Sequence, residues 1–176
     1  MKKSICVFFI LSSFFNVFAD EFYYKNLSKI EMEVLRNDKV IGYSNYFFKH
    51  NGDTMVVENY TKFNIEMFGI KVFSINSKSK EVYQKDKLLS FESSTLQNDK
   101  KKFVKLVYDK NKHKFFINGS SYVGEANHEN IIGNWWNARI LETNTQVSPL
   151  SGSIKKQEVK FISEDEVEYK SKIIKL

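Results

Sequence analysis

The sequence has one cysteine, Cys6, and one proline, Pro149. Cys6 lies in an N-terminal segment that we expect to be removed, so the mature chain would contain no cysteine. This excludes the disulfide-dense class of small secreted folds, and stability must come from a hydrophobic core. A chain of about 150 residues can bury roughly 68–70% of its unfolded surface, which is enough for one independent domain.

Arginine is scarce. Of the 27 lysine and arginine residues, only Arg36 and Arg139 are arginines. The formal net charge is +6. Arginine is the side chain whose planar fork fits a phosphate group, so a basic charge built from lysine is weak evidence for nucleic-acid binding. We expect no nucleic-acid partner. The lysine-rich stretch 100–114 predicts a basic hairpin, which is more typical of a solvated strand edge than of an anion-binding surface.

Recognisable catalytic motifs are also missing. The sequence has no G-x-S-x-G motif, and no mature cysteine is left to act as a nucleophile. His128-Glu129 begins the zinc-protease pattern, but Ile132 occupies the position of the second histidine. We therefore expect no catalytic residue, no metal site and no cofactor.

The N-terminal segment has the pattern of a secretory signal peptide. Lys2 and Lys3 precede an apolar stretch from Ile5 to Phe18, and Ala19 supplies a small residue at the cleavage position. The stretch is shorter than the roughly 20 residues of a membrane-spanning helix. We expect cleavage after Ala19, a periplasmic or secreted protein, and no stable membrane span after cleavage.

The rest of the chain, residues 20–176, alternates apolar and polar residues with the period of β-strands. The stretch 29–34 is an example, and Asn-Gly pairs at 51–52 and 118–119 indicate hairpins. Short polar turns separate such stretches throughout. The pattern predicts a mainly β single domain with one curved antiparallel sheet, an open or half barrel of about eight to ten strands.

One segment departs from this period. Ile132, Trp136 and Ile140 are spaced four residues apart, which predicts a short helix over 131–141 with Asn130 as its N-cap. We expect this helix to pack on the sheet.

Aromatic and other apolar residues suggest where a ligand would bind. The stretch from Phe63 to Ile75 is apolar on both faces, so the predicted helix, a partner or a ligand should cover the second face. The predicted ligand-binding residues are Phe63, Ile65, Met67, Phe68, Trp135 and Trp136.

Four stretches, at 33–42, 62–65, 81–88 and 136–137, resemble a group of exported bacterial proteins classed as domains of unknown function. Such families look like relatives of the open half-barrels of periplasmic lipoprotein carriers, in which a curved sheet wraps a helix and an apolar cavity. The resemblance implies a fold and a ligand class but no catalytic residues. Those relatives continue through further strands, whereas this chain ends within a predicted strand at 173–176, whose edge would need a partner or mark a shorter sheet.

The leading hypothesis is a non-enzymatic periplasmic protein that binds an apolar or amphipathic, lipid-like ligand. The first alternative is an envelope protein that binds another protein through an edge strand and the lysine hairpin. The second alternative is an enzyme without a recognisable motif, which would require Glu81, Glu92 or the histidines to converge in a cleft.

Overall fold

The structure is a computed structural model that describes residues 26–85, 87–141, 143–157, 159–163, 166–169 and 172–175. The predicted signal peptide and its cleavage site lie outside the described residues. Among the described residues, no helix has the length and hydropathy needed to cross a bilayer.

Eight strands form an antiparallel sheet in which each strand pairs with the next along the chain. They are β1 (Lys29–Arg36), β2 (Lys39–Asn51), β3 (Thr54–Met67), β4 (Ile70–Gln84), β5 (Lys87–Gln97), β6 (Lys100–Asp109), β7 (Lys114–Gly119) and β8 (Val123–Asn127). Strands β1 and β8 lie at the two edges, so the sheet is open. The predicted mainly β, antiparallel meander is confirmed.

Two-residue turns connect several of these strands. Asn37-Asp38 and Asn98-Asp99 each have positive φ angles at both positions, the geometry of the hairpin turn that asparagine and aspartate tolerate best. Between β2 and β3, Asn51 pairs with Thr54. This turn therefore consists of Gly52 and Asp53, one residue later than the Asn-Gly pair predicts. Residues 118–119 still belong to β7, and the chain turns after them.

One face of the sheet, here called the inner face, carries the buried side chains at every second position. Tyr46, Val57, Phe91, Leu106 and Ile117 are all buried there. The side chains that alternate with them lie on the outer face, where Lys78, Lys80 and Lys105 are exposed. This is the period expected when one face of an antiparallel sheet packs and the other meets water.

A second sheet of three short strands packs on the inner face beside β5–β8. It consists of β9 (Ile131–Ile132), β10 (Thr145–Val147) and β11 (Ile154–Lys156), with β9 and β10 parallel. Ile132 and Val147 are buried in one cluster with Phe91, Leu106 and Ile117 of the large sheet. Each such side chain stabilises the fold by roughly 1.5–3 kcal/mol when it is fully buried.

The helix predicted over 131–141 is wrong in extent. Ile131–Ile132 form a strand, and only Ala138–Leu141 form a single turn of 3-10 helix, η1. Asn130 is not a helix N-cap, because its side chain accepts a hydrogen bond from the Thr145 hydroxyl. The chain after β9 does not continue as a helix, because the Gly133 amide donates a hydrogen bond to the Val147 carbonyl. Residues four apart share a face in a strand as well as in a helix, which explains the misleading spacing.

The last described strands form a separate antiparallel meander. They are β12 (Val159–Ser163), β13 (Glu166–Tyr169) and β14 (Lys172–Lys175). Strand β14 lies at one edge of this sheet.

Candidate functional site

A cleft of about 820 Å³ lies on the inner face beside strands β1–β4, the half that the small sheet leaves uncovered. Strand residues form its floor, and the loop segments 133–135 and 148–150 form its wall. Ligand pockets in proteins typically measure about 300–1,000 Å³, so the cleft has the size of a small-molecule site.

The deep end of the cleft has a polar floor built on β2 and β3. The Thr61 hydroxyl donates to Oδ1 of Asn59 at 3.0 Å, and the Asn59 amide donates to Oγ of Ser44 and to the carbonyl of Asn45, both at 3.1 Å. Ser44 and Thr61 are 2.7 Å apart, and because the Thr61 proton is already used, Ser44 is the donor of that bond. Every donor of Ser44, Asn59 and Thr61 is therefore used inside the cluster.

Ser77 of β4 also lines the cleft, and it forms a second pair of hydroxyls with Thr95 of β5. Oγ of Ser77 lies 2.7 Å from Oγ1 of Thr95, and both side chains are buried. Cross-strand pairing places Ser44 opposite Thr61, Thr61 opposite Ser77, and Ser77 opposite Thr95. The four residues thus form one row of small hydroxyl side chains across the sheet.

The other end of the cleft is apolar. Phe63 pairs across the strands with Ile75, and the rings of Phe63 and Phe73 have their centroids 6.0 Å apart. Val34 of β1 also lines the cleft and lies in the same cross-strand row, because it pairs with Gly42, which pairs with Phe63. Along β3 and β4 the floor therefore changes from polar to apolar within a few residues.

The wall at 148–150 is held on the sheet by backbone contacts. Oγ of Ser93 donates to the Pro149 carbonyl at 2.6 Å, and the Ser121 amide donates to the Ser151 carbonyl at 2.9 Å. Gly119 lies under this loop, and a Cβ atom at that position would lie 2.6 Å from the Ser151 carbonyl oxygen. The absence of a side chain at Gly119 is what lets the loop approach the strand.

Glu81 of β4 holds the other wall segment. Its side chain is 1% exposed, and its Oε1 accepts hydrogen bonds from the Asn134 amide and, at 3.0 Å, from Nε1 of Trp136. Its Oε2 accepts the Tyr83 hydroxyl at 2.5 Å. A buried carboxyl group thus fixes residues 134–136 against the sheet with two hydrogen bonds, and the third, from Tyr83, lies within β4.

Burial also changes the acidity of this cluster. Desolvation is the largest cause and raises the pKa of Glu81 to about 7, against which the hydrogen bonds from Tyr83, Trp136 and Asn134 act. Burial and the neighbouring Glu81 carboxyl also raise the pKa of Tyr83. Tyr46, which contacts Ser44 and the backbone of Trp135, has its pKa raised by burial.

The six predicted ligand-binding residues do not form one site. Phe63 and Trp135 line the cleft. Trp136 is 5% exposed and packs edge-on against Phe48 and Tyr83 in the core. Ile65, Met67 and Phe68 instead line a second groove, of about 720 Å³, beside the β1–β2 turn.

The β3–β4 hairpin tip, residues 67–70, is apolar and exposed. The Phe68 side chain is 99% exposed, and Met67 and Ile70 are exposed as well. Phe68 and Gly69 both have positive φ angles, 52° and 75°. The sequence predicts that the apolar stretch from Phe63 to Ile75 is covered on both faces. In the described part of the chain, no residue covers the hairpin tip.

The other candidate groups do not converge. Glu92 is exposed and lies 3.6 Å from Lys105, and His50, His113 and His128 are exposed at separate positions. Within the described residues, no three His, Cys, Asp or Glu side chains are placed to hold a metal ion.

Part of the basic hairpin is paired. The Glu125 carboxylate accepts hydrogen bonds from Nζ of Lys112 at 2.8 Å and from Nζ of Lys114 at 2.9 Å. These hydrogen bonds lower the pKa of Glu125 to about 2. The protein-partner hypothesis stays a prediction.

Sequence reasoning missed the polar floor and the role of Glu81. The period of β4 carries the signal, because Ile75, Ser77, Glu81 and Tyr83 fall on one face in steps of two. A glutamate in register with buried Ile75 and Tyr83 indicates a buried carboxyl group, and repeated serines on that face indicate a polar patch.

Comparison with known proteins gives a family but no activity. No curated protein and no solved structure matches the chain. A family model described as a domain of unknown function (DUF6134) matches residues 32–175, which include the large sheet except residues 29–31, both cleft walls and the Glu81 cluster. The chain therefore belongs to the DUF6134 family of domains of unknown function.

Proposed function

We propose that the protein is a non-enzymatic binding protein for an amphipathic, lipid-like ligand. The observation that carries the proposal is the 820 Å³ cleft, which has an apolar end around Phe63, Phe73 and Ile75 and a polar end around Thr61 and Ser77. Small-molecule sites are typically concave and mostly apolar with a few placed polar groups, and this cleft has that composition.

A fluorescence titration tests the proposal. Trp135 lines the cleft and is 58% exposed, so a ligand that enters should shift its emission. The mature protein, residues 20–176, is titrated with long-chain alcohols, monoacylglycerols, fatty acids and phospholipids. We expect saturable binding of at least one class, and Trp135→Phe should remove most of the signal change because Trp136 is buried in the core.

A matched pair of variants locates the binding site. Phe63→Ala removes a ring from the apolar end of the cleft and should weaken binding about tenfold or more. Phe116→Ala removes an exposed ring on β7 and should leave affinity unchanged. Unchanged emission across all four ligand classes, or equal losses in both variants, would contradict the proposal.

We also propose that the protein is exported and works outside the cytoplasm. The support is the signal-peptide pattern of residues 1–19, with Lys2 and Lys3 before the apolar stretch. The test is the intact mass of the protein recovered from the periplasmic fraction. A mass that begins at Asp20 agrees with the proposal, and an uncleaved chain retained in the cytoplasm contradicts it.

A further inference from the structure

The hydroxyl row on the cleft floor contains two hydrogen-bonded pairs with a break between them. Ser44 bonds to Thr61, and Ser77 bonds to Thr95, each at 2.7 Å. Thr61 and Ser77 are direct cross-strand partners, yet in the described part of the chain no hydrogen bond joins their side chains.

The two sides of this break have different hydrogen-bonding capacity. Thr61 donates its proton to Asn59 and accepts from Ser44, so its oxygen keeps one lone pair and no free donor. Oδ1 of Asn59 likewise accepts one bond and keeps one lone pair. The Ser77–Thr95 pair has two hydroxyl protons and uses one of them between its members, so one proton remains.

A ligand group that fills the break must therefore donate to Thr61 or Asn59 and accept from Ser77, the member of the second pair that lines the cleft. A hydroxyl or an amide does both. A carboxylate or phosphate has acceptor oxygens alone, and on the β3 side it would face the oxygen lone pairs of Thr61 and Asn59. Lys155 of β11 also lines the cleft but is exposed, so it does not supply a buried cation to offset this.

The apolar end sets the direction of the ligand. The row of Thr61 and Ser77 is four residues from the row of Ile65 and Phe73, which is about 13 Å at roughly 3.3 Å per residue. Phe63 and Ile75 lie between the two rows. An apolar chain that starts at the break would run along β3 and β4 over these side chains.

We infer that the cleft selects an uncharged amphiphile, with a hydroxyl or amide head bound between Thr61 and Ser77 and an apolar chain lying over Phe63 and Ile75. This inference rests on the proposed function and names the ligand class of the same site. It excludes fatty-acid anions and phosphate headgroups from the polar end.

The test uses four ligands with the same chain: decanol, decanamide, decanoate and decane. Each is titrated into the mature protein at neutral pH and followed by tryptophan emission. We expect decanol and decanamide to bind about tenfold tighter than decanoate and decane, because they alone can form the matched hydrogen bonds to both sides of the break. Ser77→Ala and Thr61→Val should bring the affinity for decanol close to that for decane.

The control is Ser94→Ala, which removes a serine hydroxyl from the exposed face of the same β5 strand that carries Thr95. It should leave all four affinities unchanged. Chemical denaturation of each variant shows that it is folded. If Thr61→Val unfolds the domain, Ser77→Ala, which removes a single hydroxyl, still tests the inference.

The outcomes separate the inference from the proposed function. Equal binding of decane and decanol, or tighter binding of decanoate, would overturn the inference and leave a lipid-binding cleft in place. Failure of all four ligands to bind would count against the proposed function and the inference together.

Discussion

The side-chain amide of Asn134 donates a hydrogen bond to the buried carboxyl group of Glu81, which lies 53 residues earlier in the chain. Trp136 donates to the same oxygen at 3.0 Å. Since Asn134 lines the cleft and Glu81 belongs to the sheet, this contact fixes one wall of the candidate site. The shape of the cleft therefore depends on a residue that does not line it.

Replacing Glu81 tests how much this contact stabilises the fold. Glu81→Ala leaves the buried donors of Tyr83, Asn134 and Trp136 without their acceptor, so we expect the free energy of unfolding to fall by at least about 3 kcal/mol. Glu81→Gln keeps an oxygen for Asn134 and Trp136 and should cost less than about 1 kcal/mol near neutral pH. Urea denaturation measures both. Glu92→Gln, an exposed position on β5, is the control and should have almost no effect.

The stability of the protein should decrease as the pH rises through the acidic range. The Glu81 carboxyl titrates near 4.5 when unfolded, and burial raises its pKa to about 7 in the folded state. Between these values the folded state binds more protons, so stability is highest below about pH 5 and is lost up to about pH 8, by about 2 to 3 kcal/mol. Glu81→Gln should remove this slope. A wild-type protein whose denaturation midpoint stays constant over this range would contradict the assignment.

Gly119 should tolerate no side chain. A Cβ atom there would lie 2.6 Å from the Ser151 carbonyl oxygen, so Gly119→Ala pushes the 148–152 loop away from β7. We expect a loss of roughly 1–3 kcal/mol in stability. We also expect weaker ligand binding, because this loop forms a wall of the cleft. Asn118→Ala changes the exposed neighbouring residue and should leave both quantities nearly unchanged.

The exposed Phe68 should be a site where substitution stabilises the protein. Its φ angle of 52° lies in the left-handed region, which costs a residue with a bulky side chain roughly 1–2 kcal/mol. Phe68→Asn creates an Asn-Gly turn that suits this geometry, so we expect a gain of about 1 kcal/mol in the free energy of unfolding. Thermal denaturation checks it. A loss of stability would contradict the assignment of backbone strain to Phe68.

The sheet was predictable from the sequence because alternation and short polar turns are local signals. Strand β2, the Asn98-Asp99 turn and the meander order all follow from period two and turn chemistry. The prediction of a helix over 131–141 failed because a spacing of four residues fits both a helix and a strand. The interactions that decide between them come from Val147 and Glu81, which are distant in sequence.

The site was harder to predict than the fold. Phe63 and Trp135, which were chosen because large apolar residues stand out in a sequence, line the cleft, and their role in binding stays a prediction. Ser44, Thr61 and Ser77 were missed, because their importance depends on the register that lines them up across three strands. Ile65, Met67 and Phe68 lie in a separate groove because strand β3 extends beyond both walls, and this length cannot be read from composition.

Native mass spectrometry of residues 20–176, purified from the periplasmic fraction without detergent and then incubated with decanol, tests the binding function most directly. The account predicts an added mass of one ligand, either a copurified amphiphile or decanol, and a reduced bound fraction in Phe63→Ala. A spectrum that contains the bare chain alone, both before and after incubation, would contradict it.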